Sequence, residues 1–243
     1  MKSIILLLFC LFYLGSFSQT IQVLKPVNVN PLNFSPELIK DSKEIFTKCD
    51  KIYEKLKKKG YKATHEEEKI LERCDEMNES PWDVIGIGCS WYCLGGGDSV
   101  TASSQLKNQG KNNYDPSNAH DLSYETAWVE GVEGNGIGEY LLYHFRPNYP
   151  TGFHTVIVAN GYVKSEEAWT NNSRIKKLKM YVNGKPYAIL ELKDSRSEQS
   201  FKTGLIQFSK TGGTVKFEIM EVYQGKKYND AVITEIYFDG PSH

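Results

Sequence analysis

The sequence of 243 residues predicts a mainly β fold, an antiparallel β-sandwich preceded by a disulfide-linked α-helical hairpin. After about residue 81, short runs of branched and aromatic residues alternate with turn signals, which is typical of antiparallel sandwiches. Before that point, a charged segment carries apolar residues at helical spacing together with two cysteines. We therefore divide the chain into a leader over residues 1–18, a lead-in and hairpin over residues 19–80, and a sandwich over residues 81–243.

The first residues have the pattern of a signal peptide. Lys2 precedes an apolar run over residues 4–14, and Ser16 and Ser18 are small residues at the positions that a signal peptidase reads, which predicts cleavage before Gln19. The run is too short to span a bilayer, and a retained anchor is the alternative. We expect an exported chain that is secreted, periplasmic or on the cell surface, with no transmembrane segment after the leader.

Two helices and a turn are predicted after the lead-in. Residues 41–58 place one apolar stripe on a first helix, and Thr64 with Glu67 forms a capping box that begins a second helix running to about residue 77. Gly60 marks the turn between them. The stripe consists of Ile45, Cys49, Ile52 and Leu56. We expect this exposed, charged hairpin to be a support or spacer.

Four cysteines remain after export, and an even number in an oxidising compartment predicts two disulfides with three possible pairings. Cys49 and Cys74 lie at equal sequence distance from the turn, about 14 Å at ~1.5 Å per residue, so they face each other in an antiparallel hairpin. This leaves Cys89 and Cys93 as a local loop staple. A zinc site of four thiolates is the alternative, but the chain has no C-x-x-C spacing.

Seven strands are predicted in the second part of the chain from runs of branched and aromatic residues. They cover residues 141–145, 153–159, 175–182, 187–192, 205–208, 215–223 and 232–238. Asn183-Gly184 is a strong signal for a two-residue hairpin turn, and Gly212-Gly213 is another turn signal. Strands of this length and spacing favour a sandwich.

One loop sequence carries a family resemblance. Ala119, Asp121, Thr126 and Trp128 match the spacing of the Ala-x-Asp-Gly-x-x-x-Thr-x-Trp pattern, with Leu122 in place of its glycine. The segment resembles the first loop of discoidin-like domains, also called F5/8 type C or galactose-binding-like domains. The Trp-Val-Glu-Gly and Gly-x-Gly continuation is closer still to NADase-type glycan-binding domains. The resemblance spans residues 83–240 and implies a jelly-roll β-sandwich that binds sugar and has no NADase activity.

A set of loop residues forms the predicted ligand site. Sugars are held by aromatic faces and by planar amide, carboxylate and guanidinium groups. In the resembling subgroup an Asn-Gly-Tyr turn, an aromatic residue and an Asn-x-Arg segment supply them, and Trp91 and Tyr92 are added from the predicted staple. The predicted contacts are Trp91, Tyr92, Asn160, Tyr162, Trp169, Asn172 and Arg174. Each has a structural alternative: Tyr162 caps the sandwich, for example, or Arg174 pairs with an acid.

The resemblance also implies a structural calcium ion. Many discoidin-like modules hold calcium in this loop, and the matching oxygen donors here are Asp121, Thr126 and Glu235. A glycine at position 122 takes positive φ at no cost, whereas Leu122 resists it, so the loop is expected to be built differently. The alternative is a metal-free turn in which Asp121 and Thr126 cap backbone amides. No other cofactor is expected.

Composition and motifs argue against other functions. With 29 basic and 30 acidic residues the net charge is −1, which gives no long-range field toward nucleic acid or an anionic membrane. Glu130 and Glu133 are the nearest approach to a glycosidase carboxylate pair, but no geometry fixes their separation on a Gly-rich loop. We predict a non-catalytic module whose partner is a glycan or glycoconjugate. A cell-surface protein is the alternative partner, and a glycoside hydrolase is the weaker alternative function.

Overall fold

The computed structural model describes residues 21–75, 80–84, 91–93, 99–147, 152–208 and 210–241. The predicted leader lies outside these residues, and so does the predicted staple, since neither Cys89 nor the side chain of Cys93 is described. Within the described ranges, no helix has the length and apolar character needed to cross a membrane.

The predicted hairpin is formed by α1, Pro36–Leu56, and α2, His65–Asp75. Helix α1 begins five residues before the prediction, because the Ser35 side chain accepts a hydrogen bond from the Leu38 amide and Pro36 occupies the first turn. The capping box at α2 is reciprocal: the Thr64 amide donates to Glu67 at 3.0 Å, and the Glu67 amide donates to the Thr64 hydroxyl at 3.3 Å.

The predicted disulfide between Cys49 and Cys74 is confirmed, with Cα atoms 6.8 Å apart. It lies inside the small hairpin core, where Ile45 is also buried. Equal depth from the turn therefore places these two cysteines together, as the helical rise predicts. The bond closes the chain across a separation of 25 residues.

Eleven strands follow one another in the described part of the chain, and the sandwich is built mainly from the last seven. The first four are β1, Gln22–Leu24; β2, Asn28–Pro31; β3, Ser99–Ala102; and β4, Trp128–Val129. The others are β5, Tyr140–Phe145; β6, Phe153–Asn160; β7, Ser173–Val182; β8, Lys185–Glu191; β9, Ser197–Ile206; β10, Gly213–Tyr223; and β11, Ala231–Asp239. A short helix, α3, covers Glu166–Asn171.

The hydrogen-bonded strand order is β2-β9-β6-β11-β7-β10-β5-β3, with β8 on β7 and β4 on β11. The inner faces enclose one core, whose largest fully buried side chains include Trp128, Tyr143, Phe153, Phe217 and Phe238. The lead-in belongs to this sheet, because β1 pairs in parallel with β8 and β2 pairs antiparallel with β9. The predicted sandwich fold, mainly β with a hairpin in front, is confirmed.

The strand prediction did not include β1 to β4 and misplaced β9. Strand β9 covers Ser197–Ile206, whereas the prediction placed a strand at residues 205–208. Its sequence is polar, yet every second side chain up to Thr203 is buried, including Gln199. The Gln199 amide is tolerated inside because it exchanges two hydrogen bonds of 2.8 Å with the Lys193 backbone.

Loops gather at two opposite ends of the sandwich. One end, which we call the α3 end, carries the connections after β6, β8 and β10. It consists of residues 161–172, 192–196 and 224–230. The other end carries the Asn183-Gly184 turn, where both residues have positive φ as predicted, and the start of β6. Strand β6 separates the two ends by about 25 Å at ~3.3 Å per residue.

An aromatic cluster fastens the hairpin to the sandwich. The Phe34 ring lies before α1, and its centroid is 4.7 Å from that of Trp82 and 5.4 Å from that of Tyr124. Tyr124 is buried against Ala159 of β6. Both chain segments that connect the hairpin to the rest of the molecule thus meet on one patch of the sandwich.

Replacing Cys49 and Cys74 by serine is expected to destabilise the hairpin by about 3 kcal/mol. Without the bond, the unfolded chain regains the conformational entropy that closing a loop of this length removes. The sandwich core does not include these residues, so its unfolding midpoint is expected to change little. Limited proteolysis with far-UV circular dichroism measures the first effect, and near-UV circular dichroism of the core aromatic residues measures the second. Unchanged protease resistance of α1 would contradict this account.

Candidate functional site

Arg174, at the start of β7, connects four chain segments at the α3 end. Its guanidinium makes a bidentate pair with Asp194, with bonds of 3.0 and 2.9 Å. The remaining terminal nitrogen donates to the backbone carbonyls of Asn172 and Gln224, each at 3.1 Å. Only 7% of Arg174 is exposed, so the predicted sugar contact is a structural residue and the alternative of pairing with an acid is confirmed.

Asn160 and Trp169 brace the same end. The fully buried Asn160 side chain bridges to β7, since its amide donates to the Ile175 carbonyl at 2.7 Å and its oxygen accepts from the Ile175 amide at 2.8 Å. The Trp169 indole N–H donates to the Asn160 carbonyl at 2.9 Å, and the Arg174 guanidinium lies 4.6 Å from the indole centroid. Asn160 is therefore unavailable to a ligand, and Trp169 offers only part of its ring.

Tyr162 and Asn172 also serve the scaffold. Tyr162 is 9% exposed and belongs to a small apolar cluster with Val129 and Val232, as expected for a residue that caps the sandwich. The Asn172 side chain donates to the Ala168 carbonyl at 2.8 Å and so closes the C-terminal end of α3. The structure thus brings five predicted residues, Asn160 to Arg174, to one end, but mainly as supports.

Trp91 and Tyr92 lie at the opposite end of the sandwich. The Trp91 indole donates to the Gly152 carbonyl at 3.1 Å, and its ring is 6% exposed in the main core. The Tyr92 hydroxyl accepts a hydrogen bond from the Phe238 amide at 2.8 Å. Burial leaves no ring face of Trp91 for a sugar, whereas Tyr92 is partly exposed. Desolvation raises the pKa of Tyr92 well above its usual value. The prediction of one loop surface containing Trp91 and Arg174 is wrong, because β6 separates them.

The longest run of exposed residues at the α3 end, residues 226–229, lies in the loop over residues 224–230, which the sequence analysis did not select. Tyr228 is 44% exposed, and its amide donates to the Asn171 carbonyl at 2.8 Å, which fixes the loop to the end of α3. The Gln224 and Asn229 side chains are joined by a 2.6 Å hydrogen bond on the exposed side. The sequence does contain a signal for this surface, since Tyr228 is an aromatic residue inside the polar segment Gln-Gly-Lys-Lys-Tyr-Asn-Asp.

Glu130 holds the Gly-rich loop instead of facing a substrate. It is fully buried, and its carboxylate accepts hydrogen bonds from the Ala231 amide at 3.1 Å and the Val132 amide at 2.9 Å. Burial raises the pKa of Glu130, while these backbone donors oppose the shift. A Cβ atom at Gly136 would lie 2.5 Å from the Glu130 side chain, so the glycine is required there.

The three predicted calcium ligands lie near one another, because Asp121 and Thr126 share a loop and Glu235 on β11 bonds to the backbone of that loop. The Asp121 carboxylate accepts hydrogen bonds from the Thr126 hydroxyl at 2.6 Å and from the Ser123 amide at 3.0 Å. Glu235, on β11, accepts from the Leu122 amide at 3.1 Å. Leu122 has a φ of 61°, so the loop adopts the left-handed conformation without the family's glycine. The expectation that leucine changes the loop is therefore wrong, and the conformation costs about 1 kcal/mol.

Glu235 shows how these residues suit a cation. Its side chain is fully buried, and one carboxylate oxygen has no hydrogen-bond partner. The nearest ring nitrogen, of His120, is 3.8 Å away and bonds to the Ile236 carbonyl at 2.9 Å. Burial, and then the negative charge of Asp121, raise the pKa of Glu235 well above its usual value. A bound cation would offset both effects.

The donor set fits calcium, though sparsely. Asp121, Thr126 and Glu235 would hold the ion through hard oxygen atoms, and the ion would neutralise two nearby carboxylates. Among the described residues, no group of three or more acidic, histidine or cysteine side chains is placed to hold a metal. Two charged ligands are few for calcium, so affinity is expected in the weak range of about 0.1–1 mM.

The family model for the NAD glycohydrolase translocation F5/8 type C domain matches residues 91–239, more than half of the chain. The chain belongs to this family. The resemblance of the loop around Asp121 is thus confirmed, and the α3 end and the loop with Glu235 both lie inside the matched region. The hairpin lies outside it.

Solved structures resemble this translocation-family domain only in part. The CBM32-1 and CBM32-2 domains of Clostridium perfringens ZmpB in complex with GalNAc share 13% identity and a TM-score of 0.45, covering 59% of this chain and 33% of that chain. The NMR structure of the Streptococcus pyogenes NAD+-glycohydrolase translocation domain shares 26% identity and a TM-score of 0.30, covering 47% and 98%.

The chain spans about a third of the length of that ZmpB structure. The search of curated proteins found no match to this chain. Family membership therefore rests on the family match.

Arg174→Ala is expected to destabilise this translocation-family domain by about 3 kcal/mol, because it leaves two carbonyls and a carboxylate without their buried partner. Asp194→Ala should cost a similar amount, about 3 kcal/mol, because it leaves the buried Arg174 guanidinium without its counter-charge. Urea unfolding measures both. A stability of Arg174→Ala within about 0.5 kcal/mol of the parent would show that the network is not structural.

Calcium at millimolar concentration is expected to raise the melting temperature by about 3 °C after thorough chelation. Glu235→Gln should abolish this shift and, without calcium, should be more stable than the parent. The raised pKa of Glu235 makes the unfolded state lose its proton first, so parental stability falls as the pH rises above the ordinary value of 4.5. The advantage of the variant should therefore grow with pH. If calcium does not change the melting curve of the parent, the loop is a metal-free turn.

Proposed function

We propose that the chain is a non-catalytic glycan-binding module and that its contact surface is the loop over residues 224–230 with the adjoining end of α3. The observation that carries the proposal is Tyr228, an exposed aromatic side chain on a loop whose backbone is fixed to α3 by several hydrogen bonds. The family match to an F5/8 type C domain supports the same class of function. Carbohydrate binding asks for this kind of rigid loop with an aromatic face.

Polar groups around Tyr228 suit sugar hydroxyls. The Gln224 and Asn229 amides bond to each other and leave further donors and acceptors toward solvent. The Asp194 carboxylate is held by Arg174 and is partly exposed, so it is an oriented acceptor. Amides and a carboxylate at the same end of the sandwich as Tyr228 supply paired hydrogen bonds. The Lys227 ammonium lies 5.0 Å from the Tyr228 ring centroid, so a sugar would stack on the other face of the ring.

The role of Arg174 and Asn160 in this proposal is to position the loop. Arg174 donates to the Gln224 carbonyl, and the Lys227 and Tyr228 amides donate to the Asn171 carbonyl at 3.1 and 2.8 Å. A ligand therefore meets a loop that needs little ordering on binding, which reduces the entropic cost of association. Trp169 would contribute through its exposed edge.

A non-catalytic role is supported by the use of the acidic residues that sequence reasoning considered. The Glu130 carboxylate is fully buried and accepts two backbone hydrogen bonds, so it cannot reach a glycosidic bond. His120 is buried against the Ile236 carbonyl, and burial lowers its pKa. We further infer export from the leader-like first residues and from the disulfide, which an oxidising compartment maintains.

Glycan-array binding by the mature chain tests the proposal. One shallow aromatic platform is expected to bind weakly, with a dissociation constant of about 0.1–1 mM, and multivalent display should raise the signal. Tyr228→Ala should weaken binding about tenfold through lost stacking. Tyr53→Ala is the control, because Tyr53 is equally exposed at 44% but lies on the hairpin.

Two outcomes would contradict this site. If Tyr228→Ala binds glycan as tightly as the parent, the ligand binds at another surface. If the multivalent parent binds no glycan, the proposed function is wrong. Trp169→Ala is a weaker test, because loss of its hydrogen bond to Asn160 and its contact with Arg174 destabilises the scaffold as well.

A protein partner is the second candidate, and one observation favours it. The Gly-rich loop held by Glu130 exposes two aliphatic side chains, Ile137 at 57% and Val132 at 39%. Exposed aliphatic residues on a fixed loop suit a protein contact more than a sugar. The family's name refers to translocation, a role that a protein contact would serve. Ile137→Gln should leave glycan binding intact, so the two candidates are separable.

A further inference from the structure

The turn between α1 and α2 concentrates positive charge at the far end of the hairpin. Residues 55–62 read Lys-Leu-Lys-Lys-Lys-Gly-Tyr-Lys, with five lysines and no acidic residue. We call this segment the lysine tip. All five lysines are exposed, so the segment presents a local positive surface in a chain whose net charge is −1.

Three of the five charges are available to a partner. Lys55 pairs with Glu67 at 2.8 Å and, as the largest effect, lowers the pKa of that carboxyl to about 2. Lys57 pairs with Glu54 at 2.5 Å. Within the part of the chain that the structure describes, no ion pair involves Lys58, Lys59 or Lys62. These three therefore form the free positive surface.

The hairpin holds the lysine tip away from the sandwich. Helix α1 has 21 residues, about 30 Å of length at ~1.5 Å per residue, and begins directly after the Phe34 cluster that fastens it. Its buried side chains face α2, and the Cys49–Cys74 bond joins α1 to the C-terminal end of α2. The tip thus ends a stiff arm whose base is anchored.

An apolar side chain accompanies the charges. Leu56 ends the stripe that α1 buries against α2 and is itself 38% exposed among the lysines. Lysine ammonium groups bind phosphate as point charges, and an exposed leucine beside them inserts into the boundary between headgroups and acyl chains. Charge with an adjacent apolar residue suits a bilayer surface better than it suits a soluble polyanion.

We propose that the lysine tip docks the exported chain on a bilayer surface that contains anionic lipid. Charge complementarity selects the anionic headgroup phosphate and carboxylate, and the tip lies at the end of the hairpin opposite the Phe34 cluster, where it can reach an extended surface. Lysines also bind the phosphates of nucleic acid, but a soluble polyanion gives no binding site to the exposed Leu56, which favours the bilayer. Because the net charge of the chain is close to zero, the rest of the molecule adds little to the electrostatic attraction between the lysine tip and an anionic bilayer.

The size of the effect follows from the number of free lysines. Each lysine near an anionic membrane surface contributes about fivefold in partitioning, so three contribute on the order of 100-fold together. The attraction falls off within a Debye length, and it is expected to weaken strongly as salt increases. Leu56 adds a contribution that salt does not screen.

Vesicle co-sedimentation of the mature chain tests the proposal, using phosphatidylcholine vesicles with and without phosphatidylserine. The parent is expected to bind only the vesicles that contain phosphatidylserine. The variant K58Q/K59Q/K62Q should bind on the order of 100-fold more weakly. The control variant K43Q/K48Q/K51Q removes the same charge from the side of α1 and should bind like the parent.

Three results would overturn the proposal. These are equal binding by parent and tip variant, equal loss in both triple variants, and binding of the parent to heparin beads without binding to phosphatidylserine vesicles. The last would assign the tip to a soluble polyanion. Retained disulfide and helical circular dichroism in the variants shows that they fold. Leu56→Gln should weaken binding while preserving its salt dependence.

Discussion

The buried guanidinium of Arg174 is the constraint on which the α3 end depends. It joins the start of β7, the end of α3, the loop before β9 and the loop after β10 through one planar group. A charge this deeply buried is tolerated only when its donors are satisfied, and here they reach one carboxylate and two carbonyls. Every strand that these loops connect belongs to the same sheet, so the hydrogen bonds of Arg174 hold the loops in fixed positions relative to that sheet.

Buried polar groups divide this molecule into supports and surfaces. Asn160, Glu130 and Arg174 each replace part of a backbone ladder by side-chain hydrogen bonds, and each holds a loop in one position. The exposed residues then need little support of their own. Tyr228 gains its position from the backbone of α3, which is why an isolated polar loop can carry a defined aromatic face.

Sequence reasoning reached the architecture but assigned several roles to the wrong residues. Helical spacing and the capping box were sufficient for the hairpin and its disulfide, because both are local. The Asp121 to Trp128 spacing was sufficient for the fold family. Burial could not be predicted for Arg174 or Trp91, since it depends on which strands become neighbours. Tyr228 was missed because its loop gains order only from contact with α3, which is distant from it in sequence.

On this proposal, the α3 end is a rigid scaffold with a ligand-binding rim. The most direct measurement is a chemical-shift titration of the isotope-labelled mature chain with the glycan that binds best on an array. The shifts are expected to concentrate on residues 224–230 and the end of α3, while the Asn160 and Arg174 signals keep their slow hydrogen exchange. Shifts confined to the Gly-rich loop or the lysine tip, or loss of protection at Arg174 on binding, would contradict it.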